Sequence, residues 1–405
     1  MRNRLYPTSS FFSTARFSHT PFFSCAARGA LSCLALLSLC AASALAQTND
    51  FQPNPAVGAG KVIVHSKFGG QIFGFDIDQN GTEGLLSEVL VLPNGNPMSA
   101  VETFDQKTGK ILKVVIQTTK TDEFVTFGVF GSSVGLVERQ HLNGRGFVTS
   151  RTYNTLNPLS ANKLTGAWTP PLGSTHRLAG MSSNQGEPTV AVFATDESSK
   201  FIPWVFSSNV GANAFGPIVD ITDSLNFGDG SLSLIGYDST NNQAVLSGGK
   251  GCFGCFPVIG LVDLTNFNFT EFTGTGFGII NGLAVDSADG IACTTTEDDA
   301  NVEFYTLATH TSVNVVLPGS GSQQFFSGAD VQFDAIHKLF LVAQPNSSTT
   351  SSGSAIYVYN TKGALLETLN GFNFTTGPHI GLKPSTRSGY IYGPVGFNEI
   401  QSFTY

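Results

Sequence analysis

Two short motifs in this sequence place residues that could do chemistry close together. Cys252-Phe-Gly-Cys255 spaces two thiols for a disulfide, a redox pair or half of a metal site. Asp76-Ile-Asp78-Gln-Asn80-Gly81 matches the first half of a calcium loop, in which alternating oxygen ligands surround a hard cation. The twelfth loop position is Ser87, and the glutamate comes one place late at Glu88. A plain Asn-Gly turn between two strands is therefore the favoured interpretation, and we expect no cofactor, with calcium as the alternative.

The cysteine pair is interpreted as a structural disulfide between Cys252 and Cys255. A redox pair normally sits at a helix N-terminus, and no helix is predicted here. Covalent haem attachment needs a histidine where this chain has Phe256, and one pair alone cannot close a four-ligand zinc site. Of the six cysteines, three lie in the N-terminal leader, which leaves Cys293 as a buried thiol.

Five further polar residues fall at or just before strands that are predicted to begin a structural repeat: His176, Arg177, Asn281, Asp330 and His379. Such side chains could bind or polarise a carboxylate or a lactone carbonyl, with Asp330 as a base or metal ligand. Polar residues that only contact water are the simpler interpretation. The sequence contains no Gly-x-Ser-x-Gly elbow, His-Glu-x-x-His motif or phosphate-binding loop, so catalysis is not the favoured expectation.

The elements that must position these residues form a repeat of about 48 residues. Apolar strands that end in a polar residue and a turn close at Asp238, Asp286, Asp334 and Lys383, in steps of 48, 48 and 49 residues. Val101–Asp105 has the same pattern, and Lys61–Ser66, Gln71–Asp76 and Leu85–Leu92 are taken as the second, third and fourth strands of an earlier unit. A fixed period with four strand signals predicts an all-β propeller of four-stranded blades.

Seven blades is the expected count, with six and eight left open. We expect an N-terminal strand to complete the last blade and close the ring, because this arrangement removes an exposed sheet edge. One gap between repeats is longer than the others, and the polar stretch around residues 142–175 predicts an inserted loop.

Several segments resemble the broad group of secreted bacterial propellers of the YncE, NHL and lactonase-like kind. Examples are Gly353-Ser-Ala-Ile-Tyr-Val-Tyr-Asn360-Thr-Lys-Gly363 and Asn301-Val-Glu-Phe-Tyr-Thr-Leu307. This resemblance covers most of residues 47–405 and implies an architecture only. These families include both binding proteins and enzymes, so the fold carries no reaction with it.

The N-terminal segment predicts export. Residues 1–49 contain four arginines and no acid, and the apolar run of residues 30–46 ends in Ala44-Leu-Ala46, which is typical of a signal peptide over residues 1–46. An organelle transit peptide and a membrane anchor are the alternatives, and the cleavage site followed by polar residues argues against both. Residues 47–405 then form a single propeller domain in a periplasmic or extracellular protein.

Charge narrows the range of partners. The leader carries four of the 21 basic residues and none of the 29 acidic residues, which leaves a formal net charge of −12 on residues 47–405. Nucleic acid is not an expected partner, and the mature chain is not expected to span a membrane. The sequence therefore predicts a secreted, monomeric, non-catalytic propeller that binds a protein, a glycan or a small ligand. A lactonase-like or other hydrolase with a metal- or histidine-based site is the alternative.

Overall fold

The structure is a computed structural model that describes the greater part of residues 58–405. The described residues are 58–119, 121–130, 133–144, 146–169, 177–183, 189–195, 200–207, 214–215, 219–220, 234–250, 256–275, 278, 280–296, 301–318, 330–345, 354–372, 374, 378–392 and 398–405. Between residues 177 and 220 the backbone alone is described. All of these residues belong to one compact unit, Pro53–Tyr405. The predicted signal peptide lies outside the described residues.

The described chain is built from 29 β-strands, with one turn of 3-10 helix at Pro384–Thr386. The first strands are β1 (Gly58–His65), β2 (Gln71–Ile77), β3 (Glu83–Val91), β4 (Pro97–Asp105), β5 (Ile111–Thr119), β6 (Asp122–Phe130), β7 (Val134–Leu142), β8 (Val148–Leu156) and β9 (Thr165–Trp168). The next are β10 (Arg177–Ser183), β11 (Thr189–Thr195), β12 (Lys200–Ser207), β13 (Ala214–Phe215), β14 (Val219–Asp220), β15 (Ile235–Asp238), β16 (Gln243–Lys250), β17 (Phe256–Asp263) and β18 (Phe269–Thr273). The last are β19 (Ile280–Asp286), β20 (Ile291–Thr296), β21 (Asn301–Thr306), β22 (Thr311–Val316), β23 (Val331–Asp334), β24 (Leu339–Gln344), β25 (Ser354–Asn360), β26 (Leu365–Phe372), β27 (His379–Lys383), β28 (Ser388–Tyr392) and β29 (Glu399–Thr404).

Within the described residues these strands form seven antiparallel sheets. Six of them follow chain order, β2 to β5, β6 to β9, β10 to β13 with β14 beside β12, β15 to β18, β19 to β22 and β23 to β26. The seventh has the order β1-β29-β28-β27, so the N-terminal strand supplies its outer edge, with Val64 opposite Ile400.

The first strands of the sheets contact one another in sequence. These inner strands are β2, β6, β10, β15, β19, β23 and β27; each contacts the next, and β27 contacts β2. Successive antiparallel sheets joined through their first strands are the arrangement of a β-propeller. The predicted all-β propeller class is confirmed, whereas the number of blades and the closure of the ring stay predictions.

Glycine recurs on six of the seven described inner strands, at Gly74, Gly128, Gly180, Gly236, Gly282 and Gly381. A methyl group at Gly74 would come within 2.3 Å of the Thr126 carbonyl oxygen on the next inner strand. At Gly236 it would come equally close to a methyl of Val285. Inner strands therefore approach one another at a distance that a side chain would prevent.

The core lies between neighbouring sheets. One cluster joins Val331, Val342 and Tyr357 of the β23 sheet to Phe304 and Cys293 of the β19 sheet. All six residues of the middle strand β24 are buried, Gln344 included, whereas the outer strand β22 contains only exposed and half-buried residues. Cys293 is a buried free thiol, as predicted.

The aspartates of the repeat cap the turns between first and second strands. Asp238 Oδ1 accepts the N–H groups of the residues two and three positions later at 3.1 and 3.2 Å, Asp286 does so at 3.0 and 3.3 Å, and Asp334 at 2.9 and 3.1 Å. A short acidic side chain is favoured at this position because its carboxylate accepts hydrogen bonds from the backbone N–H groups of the turn that follows.

The strand positions predicted for the earliest repeat are wrong. Val101–Asp105 ends the third strand of its sheet, β4, where Asp105 Oδ1 accepts the N–H of Thr108 at 2.7 Å. The same capped turn thus occurs between third and fourth strands, and the sequence pattern does not distinguish the two turns. Accordingly Gln71–Asp76 lies in a first strand, Leu85–Leu92 in and just after a second strand, and Lys61–Ser66 largely in β1 of the last sheet.

The stretch around residues 142–175 also differs from the inserted loop that its polarity predicts. It contains β8 and β9, the two outer strands of the β6 sheet. Outer strands are covered on fewer sides, and three of the four residues of β9 are exposed. In this fold, a polar stretch can therefore be an outer strand of a sheet as well as a loop.

Two buried glutamates hold the connection between β1 and β2. Glu88 accepts the N–H groups of Phe68 at 3.1 Å and Gly70 at 2.8 Å, and Glu102 accepts that of Lys67 at 2.9 Å. Both glutamates are fully buried. They therefore stabilise the segment in which the chain passes from the last sheet to the first.

Candidate functional site

Polar residues lie on or just before the inner strands β2, β23 and β27, next to residues that are buried in the core. On β2, Ile72, Phe75 and Ile77 belong to the core, and on β27, Ile380 and Leu382 are buried. Because strand side chains alternate, the residues between these buried ones point to the other side of their own strand. One of them, His379, packs edge-on against the Phe75 ring of β2, with 5.5 Å between ring centroids. We use the name inner wall for the polar residues Asp76, Asp330, Gln332 and His379 of the three strands and their entry.

An ion pair between Asp330 and His379 lies on the inner wall. His379 Nδ1 is 3.1 Å from Asp330 Oδ2. The same oxygen accepts the backbone N–H of Ile380 at 2.7 Å and the side-chain amide of Gln332 at 3.3 Å. With three donors, the Asp330 carboxylate is held in place, and it fixes the orientation of the His379 ring.

Asp76 approaches this pair from β2. Its Oδ1 accepts the N–H of Ile77 and its Oδ2 that of Val129 on the neighbouring strand β6, both at 2.8 Å. A methyl group at Gly381 would lie 3.1 Å from Asp76 Oδ1 and 3.4 Å from Phe75 Cε2, so Gly381 packs closely beside the carboxylate. Asp76, Asp330 and His379 form one group, which we call the acid–histidine cluster.

The electrostatics of the cluster favour a protonated histidine. Desolvation acts to lower the pKa of His379, but the charge and hydrogen bond of Asp330 and the charge of Asp76 outweigh it, so its pKa is raised. Burial, with a smaller contribution from the Asp330 charge, raises the pKa of Asp76, although the charge of His379 and two N–H groups oppose this shift. The His379 side chain is still 41% exposed, so water contacts part of it.

The structure brings together three of the predicted site residues and separates others from them. Asn281 lies on β19 at the irregularity between Ile280 and Gly282, and it has no described contact with the cluster. Arg177 begins β10, where the backbone alone is described, and His176 lies outside the described residues.

The calcium motif is divided between two structural roles. Asp76 belongs to the acid–histidine cluster, whereas Asp78 Oδ1 accepts the N–H of Asn80 at 2.9 Å and so caps the turn after β2. In the described part of the chain, no group of three or more His, Cys, Asp and Glu residues is placed to hold a metal ion. The cysteines predicted to pair, Cys252 and Cys255, lie outside the described residues.

A second acid–histidine pair was not predicted from the sequence. Asp122 at the start of β6 is 2.6 Å from Arg139 and 2.6 Å from His141 Nδ1, both on β7. Desolvation acts to raise the pKa of Asp122, but its bonds to Arg139 and His141 outweigh it and lower that pKa. These residues are 17 and 19 positions from Asp122, and strand register alone brings them together, so no local motif signals the pair.

The comparisons with known proteins identify the fold and no family. No protein-family model matches the sequence. No curated protein matches it either. A solved structure titled "Crystal Structure of Mitotic Checkpoint Complex" is similar with a TM-score of 0.56 and 12% identity over 87% of this chain and 96% of that chain. One titled "Structure of U3-55K" has a TM-score of 0.56 and 11% identity over 86% of this chain and 100% of that one.

Both neighbours are propeller folds, and at these identities the likeness concerns architecture alone. Among the described residues, no helix is long and apolar enough to cross a membrane.

Proposed function

We propose that this chain is a secreted, non-catalytic β-propeller of the YncE and NHL kind that presents a binding face for a protein, glycan or small ligand. The observation that carries the proposal is the acid–histidine cluster, which three consecutive inner strands assemble from residues 76, 330 and 379. Its acidic groups are fixed by backbone N–H groups, so the cluster is organised before a ligand arrives.

Binding fits the hydrogen bonding of the cluster better than catalysis does. In the described part of the chain, no serine, threonine or cysteine hydrogen-bonds to His379, although nucleophilic catalysis needs such a pair. Asp330 Oδ2 already accepts three bonds. A lactonase-like hydrolase is the second candidate, because a histidine oriented by a carboxylate could polarise a lactone carbonyl.

A turnover assay separates the two candidates. The purified chain and its His379→Ala variant are incubated with γ- and δ-lactones and p-nitrophenyl esters, with and without added divalent metal. We expect equal background rates for the two proteins. Turnover that the wild-type chain shows and His379→Ala lacks would contradict the non-catalytic proposal and support the hydrolase.

Secretion and the disulfide are proposed on the sequence alone. The acid-free leader with its Ala-Leu-Ala site supports cleavage before Gln47, and an oxidising compartment would favour a bond between Cys252 and Cys255. Intact mass and N-terminal sequencing of the exported protein test both points. A chain that begins before residue 47 would contradict the proposed cleavage site. A mass that shows Cys252 and Cys255 as free thiols without added reductant would contradict the disulfide.

A further inference from the structure

Two buried glutamates hold one short segment between them. The segment joins β1, the outer strand of the last sheet, to β2, the inner strand of the first sheet. Glu102 Oε2 accepts the N–H of Lys67 at 2.9 Å, and Glu88 accepts those of Phe68 at 3.1 Å and Gly70 at 2.8 Å. Both glutamates are fully buried. Three backbone N–H groups of the segment therefore depend on two carboxyl groups.

The segment packs directly against these groups. A methyl group at Gly70 would lie 2.8 Å from the Val89 carbonyl oxygen and 2.9 Å from Glu88 Oε2. Water therefore cannot enter between the backbone at Gly70 and the Glu88 carboxyl group unless the segment moves.

The two carboxyl groups share one buried place and cannot both be ionised there without a large cost. Burial raises the pKa of Glu102 to about 8; the N–H of Lys67 opposes this shift, the charge of Glu88 and a hydrogen bond to it add to it, and the charge of Lys67 opposes it. The residues opposite the two glutamates on the neighbouring strands are uncharged: Ile72, Leu86, Ala100 and Val114. The closed segment therefore keeps a proton that the pair would release in water.

Strand β1 has few other contacts that hold it. Of its eight residues only Val64 is buried, and its register against β29 is irregular between Ala59 and Ile63. The ion pair of His65 with Glu399 joins the two strands at 3.5 Å, but its side chains are 58% and 45% exposed, so water screens it. The pairing of β1 with β29 therefore relies on the segment that anchors β1 to the first sheet.

We propose that the Glu88–Glu102 pair is a pH-sensitive latch that holds β1 on β29. While the pair keeps its proton, the segment stays closed over both carboxyl groups. Loss of that proton to the solvent leaves two buried anions, and the segment opens so that water hydrates them. Strand β1 then separates, and β29 presents a row of free backbone N–H and C=O groups to another extended strand, while the other sheets stay folded.

The test is hydrogen exchange of the full chain, measured by mass spectrometry at pH 5 and pH 8 and corrected for the intrinsic effect of pH on exchange. The closed form binds the proton more tightly than the open form, so opening increases as the pH rises from 4.5 towards 8. We expect the protection of β1 in the wild-type chain to fall about tenfold or more over this range. The middle strand β24, in which all six residues are buried, keeps its protection.

Three variants complete the test. Glu102→Gln keeps an acceptor for the Lys67 N–H but cannot ionise, so β1 keeps its protection at pH 8. Glu88→Gln removes the repelling charge and reduces the fall, which provides a second measurement if Glu102→Gln does not fold. The matched control Glu399→Gln removes an exposed acid that faces β1 and should behave as the wild-type chain does.

Three results would overturn the latch. The first is protection of β1 that does not change with pH in the wild-type chain. The second is a fall in Glu102→Gln or Glu88→Gln that equals the wild-type fall. The third is an equal loss of protection in β24, because the chain then unfolds as a whole and β1 is not released on its own.

Discussion

Replacing Glu102 with glutamine should remove a pH dependence from the stability of the fold. Burial raises the pKa of Glu102 from 4.5 to about 8, with repulsion from Glu88 adding to it and the N–H and charge of Lys67 opposing it. The folded chain therefore holds a proton on Glu102 that the unfolded chain releases above pH 4.5. Stability is fully present below that pH and is lost as the pH rises towards 8.

The magnitude follows from the same values. Each pKa unit corresponds to about 1.4 kcal/mol, so the difference between 4.5 and about 8 sets a ceiling of about 5 kcal/mol. Relaxation of the β1–β2 connection and entry of water reduce such penalties, and we expect a loss of about 1 to 3 kcal/mol between pH 5 and pH 9. Glutamine at position 102 keeps an acceptor for Lys67 and a donor for Glu88 but cannot titrate.

The assay is urea unfolding of the wild-type chain and the Glu102→Gln variant at pH 5, 7 and 9. The free energy of unfolding of the wild-type chain should fall across this range more steeply than that of Glu102→Gln. The control Glu399→Gln changes a half-exposed acid on β29 and should follow the wild-type chain. Parallel pH profiles for Glu102→Gln and the wild-type chain would refute this reasoning.

Three further substitutions and one control variant test close packing and buried polar contacts. Gly74→Ala forces a methyl group against a carbonyl oxygen of the next inner strand and should cost about 2 to 3 kcal/mol, whereas Gly144→Ala, with nothing within 4 Å, should cost less than about 0.5 kcal/mol in the same urea titration. Tyr405→Phe removes the buried bond of 2.9 Å from the hydroxyl to Asp334 and should lower stability by about 1 kcal/mol in thermal unfolding. Asp122→Asn should cost about 1 kcal/mol at pH 7 and less as the pH falls below about 4, because the lowered pKa of Asp122 contributes stability only while it is ionised; an equal cost at pH 3 would contradict this.

The fold class could be predicted from the sequence because the residue that caps each turn lies next to that turn in the chain. Asp238, Asp286 and Asp334 cap equivalent turns, and their even spacing exposes the repeat. The assignment of Val101–Asp105 failed for the same reason, since Asp105 caps the other turn at the same end of a sheet with identical chemistry. Local chemistry thus reveals a repeat without fixing which strand of the repeat it marks.

The candidate site was only partly accessible from the sequence. Asp330 and His379 were found because both precede or begin first strands, and Asp76 was found through a calcium pattern that the structure divides between two roles. The pairing of Asp122 with His141 depends on strand register. Register is set by tertiary packing and leaves no periodic signal along the chain.

The central claim is that three inner strands gather Asp76, Asp330 and His379 into one cluster, and a pH titration of the His379 ring by NMR tests it directly. In the wild-type chain we expect the pKa of His379 to lie above 6.5. It should fall in Asp330→Asn, which removes the paired charge, and fall by less in Asp76→Asn. A His379 that titrates at the same pH in all three proteins would contradict the cluster and the binding site that rests on it.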